Sequence, residues 1–158
     1  MTGVVELLKA RNETVATAES LTAGLLCATI VDTPGASAVV RGGLIVYATE
    51  LKHELAGVDQ QLLDEHGAVH PDVAIQLAEG ARTRCGADWG IGLTGVAGPD
   101  PQDGVAPGTV HIGLSGPGVS TVRTITLSGG RAAVRSAAVE KALVLLSETL
   151  LAVGAGNK

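Results

Sequence analysis

The sequence predicts an α/β protein with a single domain, arranged as a three-layer α/β/α sandwich around a mixed, partly parallel sheet. Helical and strand-like hydrophobic patterns alternate along most of the chain, which is typical of strands joined by helices. Two strand patterns late in the chain flank Gly116-Pro117-Gly118, which indicates an antiparallel hairpin. A length of 158 residues suits one hydrophobic core. We therefore expect one domain over 1–153 and a flexible tail over 154–158.

The first elements are a helix, a strand and a second helix. Apolar residues recur at helical spacing over 3–11, and 14–18 alternate like a strand that runs into a turn over 19–24. Helical periodicity returns over 25–31. It ends at 32–37, where proline and glycine favour a turn.

The middle of the chain contains one predicted strand and three predicted helices. Residues 39–47 form an apolar strand interrupted by two glycines, and Thr49 is a candidate N-cap for the helix that follows. A short helix over 59–66 is closed by Gly67, and Pro71 begins a longer helix that reaches about residue 84.

The last third of the chain supplies the remaining strands and the final helix. Residues 88–94 form a glycine-rich strand, and 95–108 form a loop rich in glycine, proline and aspartate. The hairpin strands cover 109–115 and 120–127, and a helix over 130–152 completes the core.

Composition and charge exclude several classes of protein. Sixteen acidic residues oppose eleven basic ones, and no stretch collects lysine or arginine, so we expect no nucleic-acid partner. No apolar stretch approaches the ~20 residues that span a bilayer, and the amino terminus does not resemble a signal peptide. Cys27 and Cys85 lack metal-type spacing. These features predict a cytoplasmic protein without a membrane partner.

Two motifs that often indicate ligand sites are rejected because the predicted secondary structure around them does not fit. Residues 90–95 match the dinucleotide pattern G-x-G-x-x-G, but these glycines lie within a strand and 96–101 cannot open a regular helix. Gly90 and Gly92 are interpreted instead as allowing a helix to approach the strand. His66 and His70 have metal-type spacing, but Gly67 interrupts any helix between them, so we predict no metal site and read all four histidines as surface or capping groups.

Ligands of open α/β sheets bind beyond the carboxyl ends of the strands, where 19–24, 47–52 and 94–108 compete for the site. Ser20 follows the first strand, where its hydroxyl and nearby helix-start N–H groups can face a ligand or a developing oxyanion. The simpler alternative is that Ser20 or Thr22 caps the next helix.

Tyr47 and Lys52 also have two possible interpretations. They can be a core-edge tyrosine and a solvated helix lysine. If the strand ends converge, a partly desolvated Lys52 amine can instead accept the Ser20 hydroxyl proton, with Tyr47 beside them. Composition does not decide between these alternatives.

Seven segments resemble, in order, the motifs of the CinA C-terminal domain family. They are Thr17-Ala18-Glu19-Ser20-Leu21-Thr22-Ala23-Gly24, Pro34-Gly35-Ala36-Ser37, Arg41-Gly42-Gly43-Leu44-Ile45-Val46-Tyr47, His66-Gly67-Ala68-Val69, Leu93-Thr94-Gly95-Val96-Ala97-Gly98-Pro99, Pro107-Gly108-Thr109-Val110 and Gly129-Gly130-Arg131. The resemblance covers nearly the whole chain. It implies a stand-alone domain, without the N-terminal pyrophosphatase-type domain of longer relatives.

The resemblance implies amidase activity that converts nicotinamide mononucleotide to nicotinate mononucleotide and ammonia, in pyridine-nucleotide salvage. Matching motif positions make Ser20 the nucleophile, Lys52 the general base and Tyr47 a hydroxyl that orients or relays the proton. Substrate contacts are expected from Thr22, Ser37, Thr94, Gly95 and Arg131, with Arg131 pairing with the 5′-phosphate. No cofactor or metal is expected, and the family likeness with an aliphatic surface suggests a homo-oligomer.

Departures from the family pattern keep other functions open. Leu21 replaces the usual cysteine, and Ala23 replaces a glycine, so a positive φ at position 23 would be strained. Ala48 and Thr49 also differ from the family's serine and asparagine. One alternative is therefore a weakly active or inactive pyridine-nucleotide-binding module, and another is an amidohydrolase for a different pyridine or ribosyl carboxamide.

Overall fold

A five-stranded mixed sheet organises the chain in the computed structural model, which describes residues 3–154. The strand order is β2-β1-β3-β4-β5, and β2, β1 and β3 are parallel while β4 and β5 are antiparallel to their neighbours. This confirms the predicted mixed sheet with a late hairpin. The strands are β1 (Val15–Glu19), β2 (Val40–Ile45), β3 (Trp89–Gly95), β4 (Thr109–Gly116) and β5 (Val119–Thr126).

Helices cover both faces of the sheet, as the sequence predicts. One face packs against α1, α2 and α6, and the other against α5. Although α6 has 22 residues, no helix within 3–154 combines the length and apolar character that crossing a bilayer requires. The helices are α1 (Val4–Arg11), α2 (Leu25–Val31), α3 (Thr49–Glu54), α4 (Gln60–His66), α5 (Pro71–Cys85) and α6 (Arg131–Ala152).

Side chains of β1 alternate between two hydrophobic clusters, which explains why the strand is buried throughout. Val15 belongs to the cluster under α1, α2 and α6. Ala16 and Ala18 belong to the cluster under α5. All five β1 residues are buried, so the strand delivers the residue that follows it to a defined position at the sheet edge.

Glycines in β3 and β4 let α5 lie unusually close to the sheet. A Cβ atom on Gly90, Gly92 or Gly113 would overlap backbone atoms of α5, at Ala74 or Ala78. Helix–sheet packing therefore accounts for the first two glycines of the G-x-G-x-x-G pattern, as the sequence interpretation holds.

Several local predictions are wrong in detail. Strand β2 ends at Ile45, before residue 47. The N-cap of α3 is Ala48 rather than Thr49. The side chain of His70 caps α5 as predicted, but His111 is buried in β4 with its Nδ1 2.8 Å from the Thr124 hydroxyl. Residues 155–158 of the predicted tail lie outside the described residues.

Candidate functional site

A cleft of about 380 Å³ opens at the carboxyl ends of β1, β2 and β3. These ends lie side by side because the strands are parallel and in register, with Glu19 opposite both Ile45 and Leu93. Each of the three polar segments predicted to compete for this place contributes to the walls. The lining residues are Ser20, Leu21, Tyr47, Gly95, Val96, Ala97, Gly98, Pro99, Asp100, Pro101, Gln102 and Arg131.

Ser20 lines this cleft and follows β1 directly. Its backbone N–H donates to the Leu93 carbonyl at 3.0 Å, which continues the sheet by one residue. Its backbone carbonyl accepts the Ala23 N–H at 3.1 Å and closes a tight turn. The side chain is 7% exposed and borders the cleft. The residue is therefore held by backbone contacts on both sides, and it lines the cleft.

The buried carboxylate of Glu19 takes over the capping role that the sequence assigned to Ser20 or Thr22. It accepts the N–H groups of Leu26 at 2.8 Å and Cys27 at 3.0 Å, in the first turn of α2. The N-cap residue of α2 is a glycine without a side-chain bond. The capping interpretation is wrong because α2 begins later than it requires. A helix start without a Ser, Thr, Asp or Asn cap was the sequence signal for another acceptor.

Lys52 is almost completely buried, at 1% exposure. Its Nζ donates to the carbonyls of Val46 at 2.8 Å and Tyr47 at 3.2 Å. Burial lowers the pKa of the amine to about 8, against a smaller opposing effect of the Glu50 carboxylate. Within 3–154, the amine makes no hydrogen bond to Ser20, and Lys52 is absent from the cleft lining.

Tyr47 and Arg131 both line the cleft and contact each other. The Tyr47 hydroxyl accepts a hydrogen bond from Nη2 of Arg131 at 2.9 Å. Nη1 of the same guanidinium donates to the Gly98 carbonyl at 2.7 Å. Tyr47 is 58% exposed despite its aromatic ring. Both side chains are therefore presented toward solvent at the cleft rather than packed in the core.

Of the other residues predicted to contact substrate, one lines the cleft, two are buried and one lies away from the cleft. Gly95 lines the cleft. Thr94 is buried and its hydroxyl donates to the Ala68 carbonyl at 2.7 Å. Thr22 is fully buried, and its hydroxyl has no partner in the described part of the chain. Ser37 is exposed in a short 3-10 helix that precedes β2, at the amino ends of the parallel strands, so the structure does not bring it to the cleft.

Sequence reasoning missed three polar residues around the site. Asp100 and Gln102 line the cleft from the loop after β3, where only the loop as a whole was predicted. Arg135 donates from α6 to the carbonyls of Leu21 at 2.8 Å and Thr22 at 3.3 Å. The available signal was its spacing of four residues from Arg131, which places both arginines on one side of a helix.

The site combines a hydroxyl, a buried amine and a guanidinium. Ser20 offers a hydroxyl, Lys52 offers an amine with a lowered pKa that is bonded to the carbonyl of the lining residue Tyr47, and Arg131 offers a cation able to pair with an anionic group. Residues 3–154 contain no cluster of three or more histidine, cysteine, aspartate or glutamate side chains able to hold a metal ion.

The fold and cleft define an open-sheet α/β protein with a cleft beyond the carboxyl ends of its parallel strands, where proteins of this class bind ligands. The chain belongs to the CinA family: residues 1–150 match the model of the CinA C-terminal domain. It is 48% identical over 147 residues to a CinA-like protein of Frankia casuarinae, covering 93% of this chain and 34% of that protein. It is 45% identical to a putative competence-damage inducible protein of Geobacillus kaustophilus, covering 96% and 37%. The chain thus spans about a third of these curated relatives.

Solved structures of the same superfamily share the fold. A CinA superfamily protein from Klebsiella pneumoniae matches with a TM-score of 0.90 and 31% identity, over 94% of this chain and 93% of that one. A competence/damage inducible protein, CihA, from Agrobacterium tumefaciens matches with a TM-score of 0.83 and 30% identity, over 94% and 96%. These names describe a superfamily and not a reaction.

Proposed function

We propose that this chain hydrolyses the carboxamide of nicotinamide mononucleotide to nicotinate mononucleotide and ammonia. The observation that carries the proposal is one cleft lined by Ser20, Tyr47 and Arg131, with the Lys52 amine bonded to the carbonyl of Tyr47. The volume of about 380 Å³ suits a small molecule. Arg131 supplies the local positive charge that a 5′-phosphate needs in a chain of net charge −5.

In the proposed reaction, Ser20 Oγ attacks the carboxamide carbon and its proton passes to the neutral Lys52 amine. The tetrahedral intermediate then breaks its C–N bond as the Lys52 ammonium protonates the nitrogen, which releases ammonia and leaves an ester on Ser20. Water attacks that ester, Lys52 accepts the water proton, and the C–O bond breaks to return the proton to Ser20. The products are a carboxylic acid and the regenerated hydroxyl.

The surroundings of Lys52 suit the general-base role. A neutral amine has two N–H bonds and one lone pair. The carbonyls of Val46 and Tyr47 accept both N–H bonds. The lone pair then remains free to accept a proton. A pKa of about 8 keeps a usable fraction of the amine neutral near neutral pH.

The proposal is tested by measuring ammonia release from nicotinamide mononucleotide by the purified chain, without added metal, from pH 6 to 10. We expect turnover that Ser20→Ala lowers by at least about a thousandfold, because the nucleophile is lost. The exposed Ser120→Ala, on β5, serves as the matched control and should keep full activity. Absence of ammonia at every pH, or an active Ser20→Ala variant, would count against the amidase.

A second candidate function is a pyridine-nucleotide-binding module without turnover. It is favoured by the hydrogen bonds of Lys52, which go to carbonyls and not to Ser20 within the described chain. Calorimetric titration with nicotinamide mononucleotide separates the two candidates, since binding without ammonia release supports the module. A panel of other pyridine and ribosyl carboxamides tests whether a different amide is the substrate.

The proposal also includes a cytoplasmic, homo-oligomeric protein. Two free cysteines, Cys27 and Cys85, support a reducing compartment. Exposed apolar side chains support self-association: Leu25 and Val31 on α2 and Val144 and Leu151 on α6. Light scattering coupled to size-exclusion chromatography measures the oligomeric state, and a monomer at micromolar concentration would contradict this part.

A further inference from the structure

Helix α6 sends two arginines toward the site, four residues apart on one side of the helix. Arg131 reaches the cleft wall, where it contacts Tyr47 and Gly98. The half-buried Arg135 has a different target, the turn that follows Ser20. Its Nε donates to the Leu21 carbonyl at 2.8 Å, and its Nη2 donates to the Thr22 carbonyl at 3.3 Å. One guanidinium thus holds two consecutive carbonyls next to Ser20.

The turn that Arg135 contacts contains a strained residue and a buried polar group without a partner among residues 3–154. Two backbone hydrogen bonds hold it, from the Ala23 N–H to the Ser20 carbonyl at 3.1 Å and from the Leu25 N–H to the Thr22 carbonyl at 2.9 Å. Ala23 has a φ of 48°, in the left-handed region that costs an alanine about 1 to 2 kcal/mol. The Thr22 hydroxyl is fully buried without a partner among residues 3–154. The strain at Ala23 indicates a turn to whose conformation the contacts of Arg135 contribute.

The same turn carries N–H groups that remain available. The N–H groups of Leu21 and Thr22 donate to no acceptor within 3–154. Ser20 and Leu21 both border the cleft. When a serine oxygen attacks an amide, negative charge develops on the former carbonyl oxygen, and an N–H just after the nucleophile is a common donor to it.

Arg135 acts on one of these donors, the Thr22 N–H, through its contact with the Leu21 carbonyl. The Leu21 carbonyl and the Thr22 N–H belong to one amide, and a charged donor at the carbonyl withdraws electron density from it. The N–H of that amide becomes a stronger donor, because chains of hydrogen bonds polarise one another. The two-pronged contact also limits rotation of the peptide planes.

We propose that Arg135 is a positioning residue for Ser20, which orients the turn after the nucleophile and strengthens its Thr22 N–H donor without touching the substrate. This inference rests on the proposed hydrolysis at Ser20. It predicts an effect on the chemical step and not on substrate binding, which the Arg131 side of the cleft would supply.

The kinetic test compares Arg135→Met and Arg135→Lys in the purified chain, with nicotinamide mononucleotide as substrate. We expect Arg135→Met to lower kcat by about ten- to a hundredfold, somewhat less than loss of a direct oxyanion donor, with KM within about twofold. Arg135→Lys keeps the charge but lacks the two-pronged geometry, so it should recover part of kcat. Arg123→Met removes an exposed arginine paired with Glu148 and is the matched control.

A second readout does not depend on the identity of the amide. A fluorophosphonate probe reacts when the Ser20 oxygen displaces fluoride from phosphorus and the hydroxyl proton leaves to the nearby base. Intact-protein mass spectrometry measures the labelling rate, with Ser20→Ala as the blank and thermal unfolding as the check on folding. We expect Arg135→Met to slow labelling at least tenfold relative to both the unmodified chain and Arg123→Met.

The outcomes separate the two proposals. Labelling of Ser20 without ammonia release contradicts the proposed substrate, while the effect of Arg135→Met on labelling still tests the positioning role. An unchanged kcat and labelling rate in a folded Arg135→Met variant overturns that role. A raised KM at constant kcat overturns it as well, because Arg135 would then bind substrate directly. No labelling of Ser20 in the unmodified chain also overturns it, since the turn would not activate the serine.

Discussion

The face of the sheet under α5 and the turn after Ser20 handle backbone constraints in opposite ways. Under α5, glycine stands wherever a Cβ atom would strike the helix, as at Gly92 and Gly113. In the turn, Ala23 stands at a φ of 48°, where glycine is the favoured residue. Under α5, the choice of glycine itself removes the steric clash. In the turn, the strain at Ala23 remains, and contacts from Glu19 and Arg135 must offset it. Strain of this kind is characteristic of functional sites.

The largest expected effect is at the α5 face. Gly92→Ala places a methyl group against the backbone of Ala74 and Ala78, which cannot move without lifting α5 from the sheet. We expect the free energy of unfolding to fall by about 3 kcal/mol, at the upper end of overpacking costs. Urea unfolding measures this, and Gly130→Ala, where a Cβ meets open space, should stay within about 1 kcal/mol. Equal stability of the two variants would remove the contrast between the regions.

The second effect probes how the turn is anchored. Glu19→Gln leaves an amide where a buried carboxylate accepts the N–H groups of Leu26 and Cys27 and the Thr17 hydroxyl. We expect a loss of about 2 kcal/mol in unfolding free energy, typical of hydrogen bonds to a charged group. The exposed Glu54→Gln should change stability by less than about 0.5 kcal/mol. A Glu19→Gln variant as stable as this control would show that the carboxylate does not hold α2.

A third effect concerns the proton on Lys52. Because its pKa is lowered to about 8 and the base must be neutral, kcat/KM should rise tenfold per pH unit below that value and level off above it. Each tenfold step corresponds to about 1.4 kcal/mol of activation free energy. The Glu50 carboxylate raises the pKa of Lys52, so Glu50→Gln should move the midpoint to lower pH. A profile that is flat from pH 6 to 9 would assign the proton transfer to another group.

The sequence predicted the sheet and helices well because their hydrophobic periods are local properties of the chain. Ser20 and Tyr47 line one cleft, as expected where parallel strands align their carboxyl ends, whereas Lys52 is not among the lining residues and Arg131 was expected there only from the family resemblance. The sequence did not predict Glu19 or Arg135, whose partners are backbone atoms of other segments. A contact between a side chain and a backbone group far along the chain leaves no periodic pattern in the sequence. Only the three-dimensional structure reveals such a contact.

The smallest effect measures the strain in the turn directly. Ala23→Gly relieves the left-handed φ, which costs alanine about 1 to 2 kcal/mol, but adds about 0.5 to 1 kcal/mol of backbone entropy to the unfolded chain. We expect a net gain of about 0.5 kcal/mol in unfolding free energy, measured by urea unfolding. Ala28→Gly, at an exposed position within α2, should instead lose about 1 kcal/mol because the helix there favours alanine. If both substitutions destabilise the chain, other contacts of the turn already compensate the left-handed conformation, and its dependence on Arg135 for support would be weaker than the geometry indicates.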